Sequence, residues 1–199
     1  MKRIMPPKPK LSPGEIIDCA TLIVREEGFD SLTVRAICKR LNCSISSIFT
    51  LFSSIEEVKQ ETIKAIKKIY EEHIQAGFME NENNYLLLRD VGVRYILFAQ
   101  NETNYFKLLF MSEQHQKSSI SNILPNIDDD YGDIIGWLNS FYKMSIKEAN
   151  DYYRRTWIYC HGIATLCATK MISPTKEEVE LDLCEFGRDL LVLMGKIKG

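Results

Sequence analysis

The most reactive side chains of the chain are its six cysteines, of which one, Cys160, stands directly beside a histidine, His161. A thiol and an imidazole can act as nucleophile and base where they are within hydrogen-bond reach of each other. Adjacent residues on a helix point about 100° apart, so this pair is badly placed for that chemistry. No two cysteines have CxxC spacing, and the sequence has no phosphate loop or metal-ligand cluster. The sequence therefore predicts no catalytic residues, no metal site and no cofactor, and it disfavours an enzyme.

Charge is distributed unevenly along the chain. Residues 1–53 carry eight basic and five acidic side chains, whereas the whole chain of 199 residues has a net charge of −2. Residues 1–53, the head, are therefore net basic, and residues 54–199, the body, are net acidic. This distribution is consistent with a polyanionic partner for the head, and it is about equally consistent with an ordinary solvated surface. No apolar run approaches the roughly 18 residues of a membrane span, and no apolar stretch follows the basic N-terminus. We expect a cytoplasmic protein with reduced thiols and no membrane partner.

Capping residues predict the helices that carry the polar residues of the head. Ser12-Pro13-Gly14-Glu15 is a capping box, and Thr33 is a candidate N-cap for a short second helix over 34–41. Asn42-Cys43-Ser44 predicts a tight turn before a short third helix that ends near Leu51, and Ser53 or Ser54 caps a long fourth helix. Two short helices joined by a tight turn have the form of a helix-turn-helix, here over about 33–52.

The third helix needs one exposed face to enter a major groove. Helical spacing places Ser46, Ser47 and Thr50 on that face, with Phe49 at its edge. The inner seam between the three helices is predicted from the apolar residues Ile37, Leu41, Ile45, Ile48 and Phe52.

Residues 16–58 resemble the N-terminal domain of the tetracycline-repressor (TetR) type of bacterial transcriptional regulators. The matching runs are Ile17-Asp18-Cys19-Ala20, Gly28-Phe29, Leu32-Thr33-Val34, Ile37-Cys38-Lys39-Arg40-Leu41, Cys43-Ser44, Ile48-Phe49, Phe52, Ser54 and Glu56-Glu57-Val58. The resemblance implies an all-helical, usually homodimeric protein. Its first three helices would bind double-stranded operator DNA, and its larger C-terminal part would bind a small effector.

The head departs from that family in its phosphate contacts. The family's Tyr is matched by Phe49, its Lys at the start of the fourth helix by Ile55, and no Lys or Arg occurs from Leu41 through Val58. Phe49 and Thr50 can instead meet thymine methyl groups. An alternative is a head that no longer binds DNA well, because phosphate contacts supply much of protein–DNA affinity. The predicted DNA contacts are Lys10, Thr33, Arg35, Ser44, Ser46, Ser47, Phe49 and Thr50.

The body is predicted to contain helices over 84–100, 102–112, 130–142, 146–172 and 174–197. Within it, Trp157 followed by His161-Gly162 resembles the Trp…His-Gly signature of one TetR subgroup. Clustered aromatic residues favour a pocket for a small apolar or aromatic effector, although plain core is the more frequent role of any one of them. The predicted pocket residues are Tyr95, Phe98, Phe110, Trp137, Phe141, Tyr153, Trp157 and His161.

The last two helices are apolar over a wide arc. A helix of this kind needs cover on more than one side, which favours a four-helix interface between two subunits. The alternative is that both apolar stripes lie in the core of a monomer. The predicted interface residues are Leu181, Cys184, Leu191 and Met194.

Together these features predict an all-α fold with a helix-turn-helix domain over 9–70 and an effector-binding and dimerisation domain over 71–199. The predicted function is a ligand-responsive, DNA-binding transcriptional regulator, a repressor released from its operator by the effector. The alternative is a dimeric helical module that binds a ligand or a protein and carries a vestigial DNA-binding head.

Overall fold

A computed structural model of the protein describes residues 11–80, 87–112 and 131–198. These residues form nine α-helices, one short 3₁₀ turn at Phe29–Ser31 and no strand, which confirms the predicted all-α fold. Within the same ranges no helix is long and apolar enough to cross a membrane. The helices are α1 (Pro13–Glu27), α2 (Val34–Leu41), α3 (Ile45–Phe49), α4 (Ile55–Glu80), α5 (Leu87–Asn101), α6 (Thr103–Phe110), α7 (Tyr131–Tyr142), α8 (Ile146–Ala168) and α9 (Lys176–Leu193).

Local capping residues set where several helices begin. Reciprocal capping boxes open α1, α8 and α9, where a Ser or Thr hydroxyl and a Glu three residues later each accept a backbone N–H. The C-terminal ends differ from the prediction. Helix α8 stops at Ala168 rather than 172, because Lys170 turns to a positive φ of 61°, and α9 stops before Gly195, which has a φ of 67°.

The chain divides into two compact units, Met1–Glu71 and Glu72–Gly199, and α4 continues from the first into the second. In the first unit α1 packs on α2, and α2 packs on α3. Apolar residues that recur at helical spacing fill its interior, and the fully buried ones are Ile16, Ala20, Ile23, Val24, Ile37, Ile48, Val58 and Ile66. Each short helix is therefore held by a shared core rather than by its own propensity.

In the second unit α5 is the central helix, and it packs against α6, α8 and α9. Helix α5 packs tightly at Gly92: a Cβ built there would lie 2.9 Å from Cδ1 of Leu183 and 3.0 Å from Sγ of Cys160. A second core joins α7, α8 and α9 and contains Leu138, Met144, Tyr153 and Leu191. These contacts position the aromatic side chains in the interior of the second unit.

The beginning of α8 and the end of the chain are linked by a charge pair. Nζ of Lys196 lies 2.8 Å from Oε1 of Glu148, and the backbone N–H and hydroxyl of Ser145 donate to the other carboxylate oxygen. These three interactions, the bond from Lys196 foremost, lower the pKa of Glu148 from 4.5 to about 2. Because the folded state holds this carboxylate ionised, its contribution to stability is present above pH 4.5 and is lost as the pH falls toward 2.

We therefore expect Glu148→Gln to lower the thermal unfolding midpoint at neutral pH and to converge with the wild type as the pH falls from 4.5 toward 2. Circular dichroism melts over that range measure the difference. Glu185→Gln, at an exposed position of α9, is the control for loss of one carboxylate. A constant gap between wild type and Glu148→Gln at all pH values would contradict the assignment.

Candidate nucleic-acid interface and effector region

The junction between α2 and α3 is a tight turn held by backbone and hydroxyl contacts. The hydroxyl of Thr33 accepts the N–H of Ala36 at the start of α2, and that of Ser44 accepts the N–H of Ser47 at the start of α3. Between them Asn42 takes the left-handed conformation, with φ 47°, and the N–H of Cys43 donates to the carbonyl of Cys38 at 3.1 Å. Asn tolerates this conformation better than most residues, so the sequence fixes a sharp turn here.

A pair of ionic contacts braces α2 against α1. Nη2 of Arg40 lies 2.6 Å from Oε2 of Glu26 and 2.5 Å from Oε1 of Glu27. The hydrogen bond to Glu26, followed by that to Glu27, raises the pKa of Arg40. This guanidinium is thereby engaged with carboxylates of the same unit, so it serves to orient α2 rather than to anchor phosphate.

The outward face of α3 is exposed, with two differences from its predicted composition. Ser46, Phe49 and Thr50 are exposed as predicted, whereas Ser47, predicted for the same face, is half-buried, and Ile48 is completely buried. Ile45, which the helical spacing placed in the seam, is 49% exposed and joins the outward face. Helix α3 has only five residues, so a single buried residue, Ile48, is enough to attach it to the core.

The hydroxyl groups of α3 are tied to one another. Oγ of Ser44 lies 2.8 Å from the hydroxyls of both Ser46 and Ser47, and Oγ1 of Thr50 donates to the carbonyl of Ser46 at 2.8 Å. These local bonds fix the side chains of the outward face. The apolar side chains of Ile45 and Phe49 stand exposed beside them, so this face combines hydroxyl oxygens with apolar contact groups.

Two exposed cations of the helix-turn-helix, besides Arg40, lie on α2. Arg35 and Lys39 are exposed, and among the described residues neither has an ion pair or a hydrogen bond. Thr33 is also exposed at the N-terminus of α2. Lys10, the remaining predicted contact, lies outside the described residues.

The eight predicted pocket residues fall into separate groups of packed side chains. Tyr95, Phe110, Trp157 and His161 belong to one group of packed rings, which also includes Phe106. Trp137 and Phe141 stack on each other with ring centres 5.4 Å apart, Phe98 packs against His73, and Tyr153 lies in the core of α7, α8 and α9. Their burial also differs: Tyr95, Phe98 and Tyr153 are buried, Phe141 is 46% exposed, and the rest are half-buried, namely Phe110, Trp137, Trp157 and His161.

His161 is held at the centre of the first ring group. Its Nδ1 lies 2.8 Å from the hydroxyl of Tyr95, and its ring stacks on Trp157 with centres 4.8 Å apart. Burial lowers the pKa of His161, which favours the neutral imidazole. Burial also raises the pKa of Cys160 to about 12, which favours the protonated thiol over the nucleophilic thiolate.

A cavity with a volume of about 370 Å³ lies between α5, α7, α8 and α9. Of the eight predicted pocket residues it includes only Trp137. Its lining residues are Leu88, Arg89, Trp137, Tyr142, Tyr152, Thr156, Leu183, Cys184, Gly187, Arg188, Leu191 and Ile197. Sequence periodicity could not find this set, because it comes from four helices that meet only in the folded unit.

The predicted interface residues of α9 fall on different sides of the helix. Leu181 is 63% exposed and Cys184 is exposed, whereas Met194 is half-buried. Leu191 is only 5% exposed and packs in the core of its own subunit, so its assignment to an interface is corrected. Other large apolar side chains stand exposed on α8 and α9, namely Ile158, Leu166 and Leu193.

The arrangement of α1 to α3 defines a helix-turn-helix domain with an exposed third helix. Residues 16–62 match the family model described as bacterial regulatory proteins, tetR family. The match spans α1, α2 and α3 and the first turns of α4, and it indicates a DNA-binding transcriptional regulator of that family. A comparison with curated proteins found no significant match.

Proposed function

We propose that the protein is a transcriptional repressor that binds operator DNA as a homodimer and leaves it when a small apolar or aromatic effector binds its second unit. The observation that carries the proposal is the tetR-family match to residues 16–62, which falls on a helix-turn-helix whose α3 face is exposed. Such a protein acts in the cytoplasm, where it meets the chromosome.

In this proposal α3 lies in the major groove, while α2 contacts the DNA backbone. Arg35 supplies a phosphate contact, and the N–H groups at the start of α2 supply another, since a helix N-terminus favours anions. On α3, Phe49 and Thr50 meet base edges, and thymine methyl groups are the feature that their apolar atoms can recognise. Phosphate contacts then set affinity and register, whereas α3 sets sequence preference.

The dimer is supported by the exposed apolar residues of α8 and α9. A two-fold dimer of helix-turn-helix domains reads two half-sites roughly 34–36 Å apart. An effector that favours one dimer geometry changes this separation and weakens operator binding. Helix α4 continues from the first unit into the second, so it is the element through which we expect the two to be coupled. By linkage, operator binding weakens effector binding by the same factor.

The reading role of α3 is tested by alanine substitution. We expect Phe49→Ala and Thr50→Ala each to cost on the order of 1–3 kcal/mol at the preferred operator, because base-edge contacts distinguish sites by that amount. The operator is taken from a random duplex pool by selection with the wild-type protein, and affinity is measured by gel shift at several salt concentrations. Replacing thymine by uracil in that operator, which removes the methyl group, should reduce the effect of Phe49→Ala.

The matched comparison is Arg35→Ala. This substitution should weaken binding to all DNA sequences equally. It should also reduce the slope of the logarithm of the DNA association constant against the logarithm of salt concentration by about the amount expected for one phosphate contact. If the wild-type protein selects no preferred sequence and binds duplex DNA no better than Arg35→Ala does, the alternative of a vestigial head is correct.

A further inference from the structure

The cavity of the second unit has the size and walls of a small-molecule site. Its volume of about 370 Å³ lies within the usual range for ligand pockets, roughly 300–1,000 Å³. The indole of Trp137 and the side chains of Leu183 and Leu191 form apolar walls, and the latter two are buried. These residues come from α7 and α9, which the shared core holds together.

The charge of this cavity is one-sided. Its twelve lining residues include two arginines and no acidic residue. Arg89 is fixed in place, since its Nε and Nη2 donate to Oδ1 of Asp90 at 2.8 and 2.7 Å, and its Nη1 lies 3.8 Å from Sγ of Cys184. Asp90 therefore balances this first guanidinium from outside the lining.

Arg188 differs from Arg89 in having no counter-charge. It is exposed on α9 and has neither an ion pair nor a hydrogen bond with any described residue. A guanidinium presents a planar fork of N–H groups that matches a carboxylate with two parallel hydrogen bonds. One unpaired cation beside a largely apolar cavity is complementary to a ligand that has one anionic group and an otherwise apolar structure.

We propose that this cavity binds an organic monocarboxylate, whose carboxylate pairs with Arg188 and whose apolar part lies against Trp137 and Leu191. The role of this ligand as the effector rests on the proposed function, whereas its binding does not. An effector bound in this way carries a negative charge, which the aromatic composition of the chain does not indicate.

The probe is decanoate, and 1-decanol is its neutral counterpart with the same chain length. Calorimetry with the full-length protein is expected to show one decanoate per chain, bound at least ten times more tightly than 1-decanol. Arg188→Gln should lose that preference and retain 1-decanol binding, while Arg188→Lys keeps part of it. Lys147→Gln, which removes an exposed charge at the start of α8, should bind both ligands as the wild type does.

Three results would overturn the site: equal affinity of the wild type for decanoate and 1-decanol, unchanged decanoate binding in Arg188→Gln, or no decanoate binding by the wild type. Thermal melts of each variant check the fold. We expect substitutions of Arg188 to leave the fold intact, because this side chain is exposed and has no ion pair or hydrogen bond with any described residue. Operator binding is measured in parallel. If decanoate binds without changing operator affinity, the site is supported and the role of decanoate as effector is contradicted. If the protein binds its operator but does not bind decanoate, the site is overturned and the proposed function as a DNA-binding regulator is unaffected.

Discussion

Replacing both Ile158 and Leu166 with glutamate is expected to convert a homodimer into monomers and to abolish binding to a two-half-site operator. The two residues are 44% and 37% exposed, and they lie one turn on either side of the exposed Gly162, so they form an apolar stripe along α8. In a two-fold interface each substitution occurs twice, and a charge buried without a partner costs several kcal/mol. Loss of the dimer removes the second half-site and most of the operator affinity.

Sedimentation velocity at micromolar concentration measures the oligomeric state, and gel shift measures operator binding. The control is Ile146→Glu, which is 67% exposed on the same helix and lies about 120° around it from Ile158. It should leave the dimer intact. A wild-type monomer at micromolar concentration, or a double variant that still sediments as a dimer, would contradict an interface on α8.

Leu191 shows why this test uses α8. From the sequence, Leu191 and Leu181 belong to the same apolar stripe of α9, which predicted an interface. In the folded unit Leu181 is 63% exposed while Leu191 is 5% exposed and packs with Tyr153 and Leu138. A glutamate at 191 would therefore destabilise the subunit itself, and loss of dimer in that variant would carry no information about the interface.

The features predicted well from sequence are those decided by neighbouring residues. The starts of α1 and α2 follow from Ser12 and Thr33, because a cap depends only on the three residues that come after it. The turn at Asn42 is equally local, since one residue supplies the left-handed conformation. The helix-turn-helix could therefore be predicted almost completely.

The features predicted poorly depend on residues distant in sequence. Arg40 meets Glu26 and Glu27 across two helices, and no spacing rule identifies such a pair. The cavity beside Arg188 draws its walls from four helices, and among its lining residues only Trp137 belongs to the predicted pocket set. Ile45 was misplaced because a helix of five residues is too short for its periodicity to define a face.

Gly92→Val is expected to destabilise the second unit by about 2 kcal/mol or more, because it overfills a tightly packed contact. Even the first added carbon would lie 2.9 Å from Leu183 and 3.0 Å from Cys160, and both of these side chains are buried and have little room to move. At Gly136 on α7 the first added carbon, a Cβ, would have nothing within 4 Å. There the same substitution should be neutral or slightly stabilising, since valine loses less backbone entropy than glycine in a helix.

Chemical denaturation of both variants measures the difference, and a two-step transition would separate the second unit from the first. Leu183 also lines the cavity beside Arg188, so displacement of this side chain by a valine at 92 should weaken decanoate binding as well. Gly136→Val should leave that binding unchanged. Equal stabilities of the two variants would show that α5 can move away from α8 and α9 at little cost, and that the close approach at Gly92 does not hold the cavity in shape.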